Sequence, residues 1–454
     1  MSEARATESS PKEHAPPPQH SPAQDERLHS ATETRKDEAG YVRTDLGVLP
    51  VDWRTSTLRD AAERISVGLA TSVTEHYRSS GTPIVRNLNI KDGYFDGSEM
   101  LYVSDLFAQA NSSKAARASD VLTVRTGSNL GLTCVLPPEL DNCQTFTTLI
   151  TTPKKAVLDS HFLCLQMGSH IGRAELDRLQ VGGGKGNLNT GHLKHYRLVA
   201  PPLEEQRGIA ETIRDVDALL GALERLIVKK RDLKQGTMQE LLTGQTRLAG
   251  FRGKWKPQQL GSLGSTFGGL TGKGKADFGE GPARYITFTN VIDNVVVDCT
   301  RFDAVRVSPV ESQNHVMRGD LLFNGSSETP DELALCAVLM HEAKELYLNS
   351  FCFGFRLRSD NEAHGLYLAY YFRGTPGREL MKAIAQGSTR YNLSKVVFLK
   401  AILTLPPFEE QVAIAEALAE MDAALRTLEQ RRDKTRALKQ GMMQELLTGR
   451  IRLV

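Results

Sequence analysis

The 454-residue sequence has little of what would mark an exported or membrane-bound protein. Its six cysteines, Cys134, Cys143, Cys164, Cys299, Cys336 and Cys352, form no Cys-x-x-Cys pair and no short disulfide-like framework, so they are expected to be reduced thiols. No stretch approaches the roughly 18 uninterrupted apolar residues of a membrane span, and the first residues lack the apolar core of a secretion signal. A soluble, cytoplasmic protein without a membrane partner is expected. An excess of either charge is missing too. The 56 Lys and Arg against 54 Asp and Glu leave a net charge of +2, which excludes a grip on nucleic acid by bulk charge alone but leaves local patches open. Residues 1–40 lack aromatic side chains altogether and hold only Leu28 among Val, Ile, Leu and Phe. Such a segment cannot bury enough apolar surface to offset its ordering entropy, and a disordered tail is predicted there.

What the sequence does have is an internal repeat. Residues 201–248 align without a gap to residues 406–453 at an offset of 205, with 28 of 48 positions identical. The offset reaches upstream to Gly182/Gly387, Lys185/Arg390, Asn187/Asn392 and Leu188/Leu393. Further back the copies agree only in outline: Trp53 answers Trp255, residues 83–90 answer 283–291, and the strand-like run after Asp120 answers that after Asp320. Length alone predicts about three domains. The repeat replaces this with a tail over 1–40, a module over 41–200, a helix over 201–248, a second module over 249–405 and a second helix over 406–454.

Each repeated segment opens with Pro-Pro and then Glu-Glu, suited to a helix N-terminus, and closes at Leu-Leu-Thr-Gly, with Gly244 or Gly449 suited to a left-handed C-terminal cap. About 40 residues between these signals give a helix of roughly 60 Å. Ile209, Ile213, Val216, Leu220, Leu223 and Ile227 follow a 4-3 spacing, and Ile414, Leu418, Met421, Leu425 and Leu428 repeat it. The seam predicts an antiparallel pairing of the two helices. The alternative, each helix packed on its own module, stays open. Near the helix ends, eleven of twelve positions are identical in LKQGTMQELLTG and LKQGMMQELLTG. Identity at exposed positions predicts two identical partners docking on two pseudo-symmetric surfaces, made by Lys234, Gln235, Met238, Gln239 and Glu240 and by Lys439, Gln440, Met443, Gln444 and Glu445.

The duplicated Pro-Pro-[Leu/Phe]-Glu-Glu-Gln starts, the Leu-Leu-Thr-Gly ends and the upstream Asn-Leu-[Asn/Ser] turns resemble those of the specificity subunit of a type I restriction-modification system, over residues from about 41 to the C-terminus. The resemblance implies an α+β chain of two mixed α/β target recognition domains separated by two long helices in an antiparallel coiled coil. Each domain would read one half of a bipartite site in double-stranded DNA. The helices would act as spacer and as docking surface for two methyltransferase subunits, which restriction subunits then join. S-adenosylmethionine, ATP and Mg²⁺ would belong to those partners, with no cofactor, metal or catalytic residue in this chain. The residues alone also allow a solitary DNA-binding adaptor or a coiled-coil scaffold.

Motifs for catalysis fail on inspection. Residues 268–274 look like a phosphate loop, but Phe267 stands where its first glycine belongs and Gly274 where Ser or Thr must follow Lys273. His341-Glu342 begins a zinc-protease pattern, and Glu345 occupies the second histidine's place. Leu405-Pro-Pro-Phe lacks the polar residue of the Asp/Asn-Pro-Pro-Tyr/Phe motif of amino-methyltransferases.

If the modules read bases, Arg or Lys suits guanine and Asn or Gln suits adenine, presented from loops on a rigid core. In the first module the candidates are Arg86, Asn87, Arg125, Thr126, Ser128, Asn129, Lys185 and Asn187. In the second they are Thr287, Asn290, Asn324, Ser326, Ser327, Arg390, Tyr391 and Asn392. Each also fits an ordinary turn or helix cap. Because the loops differ, the two half-sites are expected to differ.

Overall fold

The computed structural model describes residues 40–180, 186–359 and 362–453; the predicted tail, apart from Gly40, and Lys185 lie outside the described residues. Two compact units divide the described residues, one of those up to 215 and from 439 on, the other of those between 216 and 438. The cuts fall inside both long helices, so neither unit coincides with a module and its following helix. Each unit gathers one module, the start of the helix that follows it and the end of the other helix.

In the first unit a four-stranded antiparallel sheet is ordered Ala62–Val67, Thr148–Pro153, Val121–Val124, Thr133–Val135. In the second unit Gly264–Gly268, Cys352–Leu357, Leu321–Asn324 and Cys336–Val338 repeat that order and its antiparallel pairings. The central strands, VLTV and LLFN, are buried at every residue, as expected of strands covered on both faces. Asp120 and Asp320 immediately precede the two central strands and are themselves buried. Each is met by an arginine across the sheet, Arg64 at 2.8 Å and Arg356 at 2.6 Å. A second sheet in each unit, of four strands in the first and three in the second, includes a parallel pair, Thr82–Val85 with Gln144–Thr145 and Phe278–Ile286 with Leu346–Leu348.

Two short helices follow the sheet in each unit, Ser160–Gly168 and His170–Leu179 in the first, Gly365–Arg373 and Thr375–Ala383 in the second. They meet at a glycine: a Cβ on Gly172 would lie 2.0 Å from the Gln166 carbonyl oxygen, and one on Gly377 would lie 2.2 Å from that of Tyr371.

The long helices span Leu203–Thr243 and Phe408–Leu447. They start just after the Pro-Pro pairs and end before the C-terminal parts of the predicted segments. Their starts are fixed by a buried glutamine. Gln206 donates to the carbonyls of Pro201 and Val157 and accepts from the Asp159 N–H, all at 2.9 Å. Gln411 repeats this with Pro406, Glu362 and His364.

Their apolar seam is shared between two tasks. Ile209 and Ile213 lie in the core of the first unit with Phe162, Leu163 and Trp53, and Ile414 and Leu418 lie in that of the second with Tyr367 and Phe398. The first part of each seam thus packs on its own module, against the expectation of a seam devoted to the other helix. The 4-3 spacing produces one apolar stripe whether the cover is a helix or a globular core. Within the second unit the helices do run antiparallel. Arg436 meets Glu224 at 3.0 Å, and Arg231 meets Glu429 and Lys234 meets Asp422, pairs whose numbers rise on one helix as they fall on the other. Leu220, Leu223, Ile227 and Leu425 are buried along this stretch.

The helix ends pack as well. Leu241 and Leu242 enter the core of the second unit, and Leu446 and Leu447 that of the first. Gly244 and Gly449, at φ +72° and +68°, turn the chain in the left-handed region, each against a tryptophan ring, Trp255 and Trp53 respectively. Beyond these caps Arg247 donates to both carboxylate oxygens of buried Glu410. Arg452 does the same to buried Glu205, at 2.6 and 2.8 Å. The Glu-Glu-Gln starts and the Leu-Leu-Thr-Gly ends are therefore two halves of one latch, made once in each unit.

Candidate nucleic-acid interface

The end of each central strand opens into a loop that a second loop, more than 60 residues later, comes to join. In the first unit the Leu188 N–H donates to the Arg125 carbonyl at 2.9 Å, Thr126 bridges to Asn187, and Arg125 Nη2 donates to Asn187 Oδ1 at 3.4 Å. In the second unit the Leu393 N–H donates to the Gly325 carbonyl at 3.1 Å, Ser326–Ser327 pairs with Tyr391–Asn392, and Arg390 Nη2 donates to Ser326 Oγ at 3.3 Å. The same backbone junction thus carries different side chains. In the first, Thr126, Ser128, Asn129 and Asn187 are exposed; in the second, Arg390 and Asn392 are exposed and Ser326, Ser327 and Tyr391 half-buried. Exposed polar groups on a fixed backbone can offer hydrogen bonds to a groove edge.

Arg86 and Asn87 sit on a neighbouring turn. Arg86 donates through Nη2 to the Glu99 carbonyl at 2.7 Å, and the Nε atoms of Arg86 and of Arg125 are buried without a protein acceptor. Asn87 Oδ1 lies 3.5 Å from the hydroxyl of Thr148, the residue paired with Val124 at the end of the central strand.

Two of the expected base readers, Asn324 and Asn290, are spent inside the fold, and a third, Thr287, caps a helix. Asn324, fully buried, donates its amide to the Ser326 and Glu332 carbonyls and accepts from the Leu335 N–H. Asn290, also fully buried, donates to the Asp298 and Arg301 carbonyls and accepts from the Asp298 N–H. Asn89 holds the matching position in the first unit, donating to the Asp96 carbonyl. Thr287 caps the helix Phe288–Asp293 by accepting from the Asn290 N–H. These three are turn and cap residues; the amides of Asn290 and Asn324 are not available to a base, while Thr287 is half-buried.

The docking residues divide similarly. Lys234 pairs with Asp422 and lies 5.6 Å from the Tyr370 ring centre, Met238 and Met443 pack on the cores of their units, Glu240 accepts from Thr246 at 3.0 Å, and Glu445 lies 3.5 Å from Arg450. Lys439 is half-buried. Gln235 and Gln239, and likewise Gln440 and Gln444, stay exposed beside Gly236 and Gly441, where an added Cβ would meet nothing. Leu233 and Leu438, one repeat apart, are 54% and 59% exposed. They were not anticipated, although both stand in the identical block.

No activated thiol stands near these loops. Five of the six cysteines are buried, and burial pushes the thiols of Cys143, Cys164 and Cys352 up to about 12, which holds them protonated at neutral pH. No helix among the described residues is long and apolar enough to cross a membrane.

Known proteins share this plan. Residues 50–230 and 329–435 match the type I restriction modification DNA specificity domain. A Methanocaldococcus jannaschii chain named for the MjaX type I restriction enzyme specificity subunit is 24% identical over 451 residues, covering 92% of this chain and 97% of its own. The Escherichia coli EcoKI specificity subunit is 22% identical, covering 82% of each chain. Among solved structures, the type I S subunit of M. genitalium superposes with a TM-score of 0.53 at 14% identity, over 87% of this chain and 96% of its own. A chain from a study of type I R-M complex assembly gives the same TM-score at 17% identity, over 89% and 99%. With its duplicated sheets, latched helices and paired loops, the chain belongs to the type I restriction-modification specificity subunits, the family that recognises DNA sequence for these systems.

Proposed function

We propose that the two modules read the two halves of one asymmetric, split DNA site, and that the long helices set the gap between the halves. The observation that carries this reading is the repeated loop junction, at which the backbone pairing and the asparagine (Asn187, Asn392) are kept while Arg125 and Thr126 give way to Gly325 and Ser326. Equal frames with unequal side chains suit two different half-sites. The exposed surfaces around Leu233, Gln235 and Gln239 and around Leu438, Gln440 and Gln444 would each dock one methyltransferase subunit, because the identity there extends to exposed side chains. Adenine methylation and cleavage then fall to the methyltransferase and restriction subunits, with their S-adenosylmethionine, ATP and Mg²⁺. This chain supplies recognition and spacing. Lys185 remains a candidate phosphate or base contact of the first module. The near-neutral net charge implies that the isolated chain binds DNA weakly and that binding falls steeply with salt, gaining useful affinity once the methyltransferases complete the complex.

The test is methylome sequencing of cells that express the chain with its methyltransferase partner. Four residues inserted at matching places in both helices add about 6 Å of rise to each. The expected result is a changed gap between unchanged half-sites. Altered half-sites, or an unaltered gap, contradict the ruler role.

A further inference from the structure

Phe351 is 60% exposed, which among the described aromatic residues only Tyr94 equals. A single exposed apolar side chain is ordinary on a protein surface, so its setting decides whether it means anything. The ring sits at the tip of a tight turn between the strands Leu346–Leu348 and Cys352–Leu357. That turn is held from several sides. Asn349 Oδ1 accepts from the Phe351 N–H at 2.9 Å, the Asn349 carbonyl accepts from the Cys352 N–H at 3.0 Å, and the Asn349 N–H donates to the Ile286 carbonyl at 3.0 Å.

The turn is joined to the reading loops through one residue. The Gly325 N–H donates to the Phe351 carbonyl at 2.9 Å, while the Gly325 carbonyl accepts from the Leu393 N–H. Phe351, Gly325 and the Tyr391–Asn392 strand therefore form one hydrogen-bonded row. A Cβ on Gly325 would lie 3.2 Å from the Phe351 carbonyl oxygen, so the glycine permits the close approach.

In the first unit strand pairing puts other residues at these two places, without the corresponding backbone bond being kept. Arg125 occupies the place of Gly325, and Thr147 that of Phe351, since Thr148 pairs with Val124 as Cys352 pairs with Asn324. One module thus has an arginine and a half-buried threonine where the other has a bare backbone and an exposed aromatic ring. A guanidinium suits the hydrogen-bond acceptors of guanine. An apolar ring has no such partner among base edges, but it packs on the C5-methyl group of thymine.

We propose that Phe351 is a specificity-determining residue of the second module, contacting the C5-methyl group of a thymine in that module's half-site. The assignment rests on the split-site reading above.

The test uses the full chain with its methyltransferase partner and duplexes in which each thymine of the recognised half-sites is replaced in turn by deoxyuridine, which lacks only the methyl group. The expected result is one position, in one half-site, where the replacement weakens binding about fourfold, the value of one buried methyl group. Phe351→Ala weakens binding to the thymine duplex and abolishes the difference between thymine and deoxyuridine there, leaving the other half-site unchanged. A half-site without thymine, unchanged binding at every deoxyuridine, or the same deoxyuridine penalty in Phe351→Ala overturns the assignment. The deoxyuridine arm on the unaltered chain needs no variant to fold. Failure to direct methylation to any split site would instead remove the reading beneath it, so the two failures are distinct.

Discussion

Glu205 and Glu410 stand one repeat apart, and each accepts from an arginine beyond the end of the other helix. The surroundings of the two pairs differ. In the first unit Trp53 donates its indole N–H to Glu205 at 3.1 Å and Asp52 adds a second carboxylate to Arg452 at 2.7 Å. In the second unit the buried Trp255 indole N–H has no protein acceptor, and Lys254 follows the glycine whose carbonyl accepts from Arg247. The central bond of the latch is kept and its accessories vary. The loops differ further, keeping the backbone junction and little else. Side chains whose partner lies within the same unit are constrained by that partner, while those that point outward are free to follow what they bind.

Cutting the latch tests that comparison with the largest effect. Arg452→Ala leaves Glu205 with the Trp53 indole N–H alone and Arg247→Ala leaves Glu410 without its arginine, and each is expected to lower the urea unfolding midpoint more than any variant below. Asp52→Asn, at a half-exposed carboxylate, is expected to cost about 1 kcal/mol or less. A neutral Arg247→Ala would show that the second latch is not a counterpart of the first.

A second pair of variants separates frame from loop. Arg125→Ala is expected to weaken discrimination at one base pair by about 1–3 kcal/mol, measured by binding of the methyltransferase complex to single-base variants of its site. Its unfolding midpoint should hardly move. Asn290→Ala is expected to do the reverse, lowering stability by about 1–3 kcal/mol through the stranded Asp298 and Arg301 groups while leaving both half-sites intact.

The smallest effect concerns acid. Burial raises the pKa of Glu175, but hydrogen bonds from Arg178 and Arg197 outweigh this and hold the carboxyl at about 2. A folded pKa below the unfolded one means that the contribution is fully present above the ordinary value of 4.5 and is lost as pH falls from there towards about 2. One repeat later the residue is Leu380, so the second unit has no such contribution at this place. With Trp53 as the sole fluorophore in a Trp255→Phe background, the urea midpoint of the first unit should fall over that pH range. Glu175→Gln should flatten the fall.

The repeat, the long helices and their glycine caps were legible because they are written in period and identity. The reason for the identity was not. Glu205, Gln206, Leu241, Leu242 and Arg247 owe their preservation to partners remote in sequence, which spacing does not reveal, and among the expected docking residues Gln235, Gln239, Glu240, Gln440 and Gln444 are exposed. Asn290 and Asn324 have the amide of an adenine reader, yet turn carbonyls several residues away consume it. Phe351 went unnoticed for the opposite reason: one residue in a turn has no period, and its neighbour Gly325 is set beside it by strand pairing alone.

The central claim is that the modules are independent readers on a common frame. Exchanging residues 41–200 for the corresponding module of another specificity subunit, followed by methylome sequencing with the same methyltransferase partner, tests it most directly. The account predicts that one half-site changes while the other half-site and the gap stay as they were. A change in both half-sites, or in neither, would contradict it.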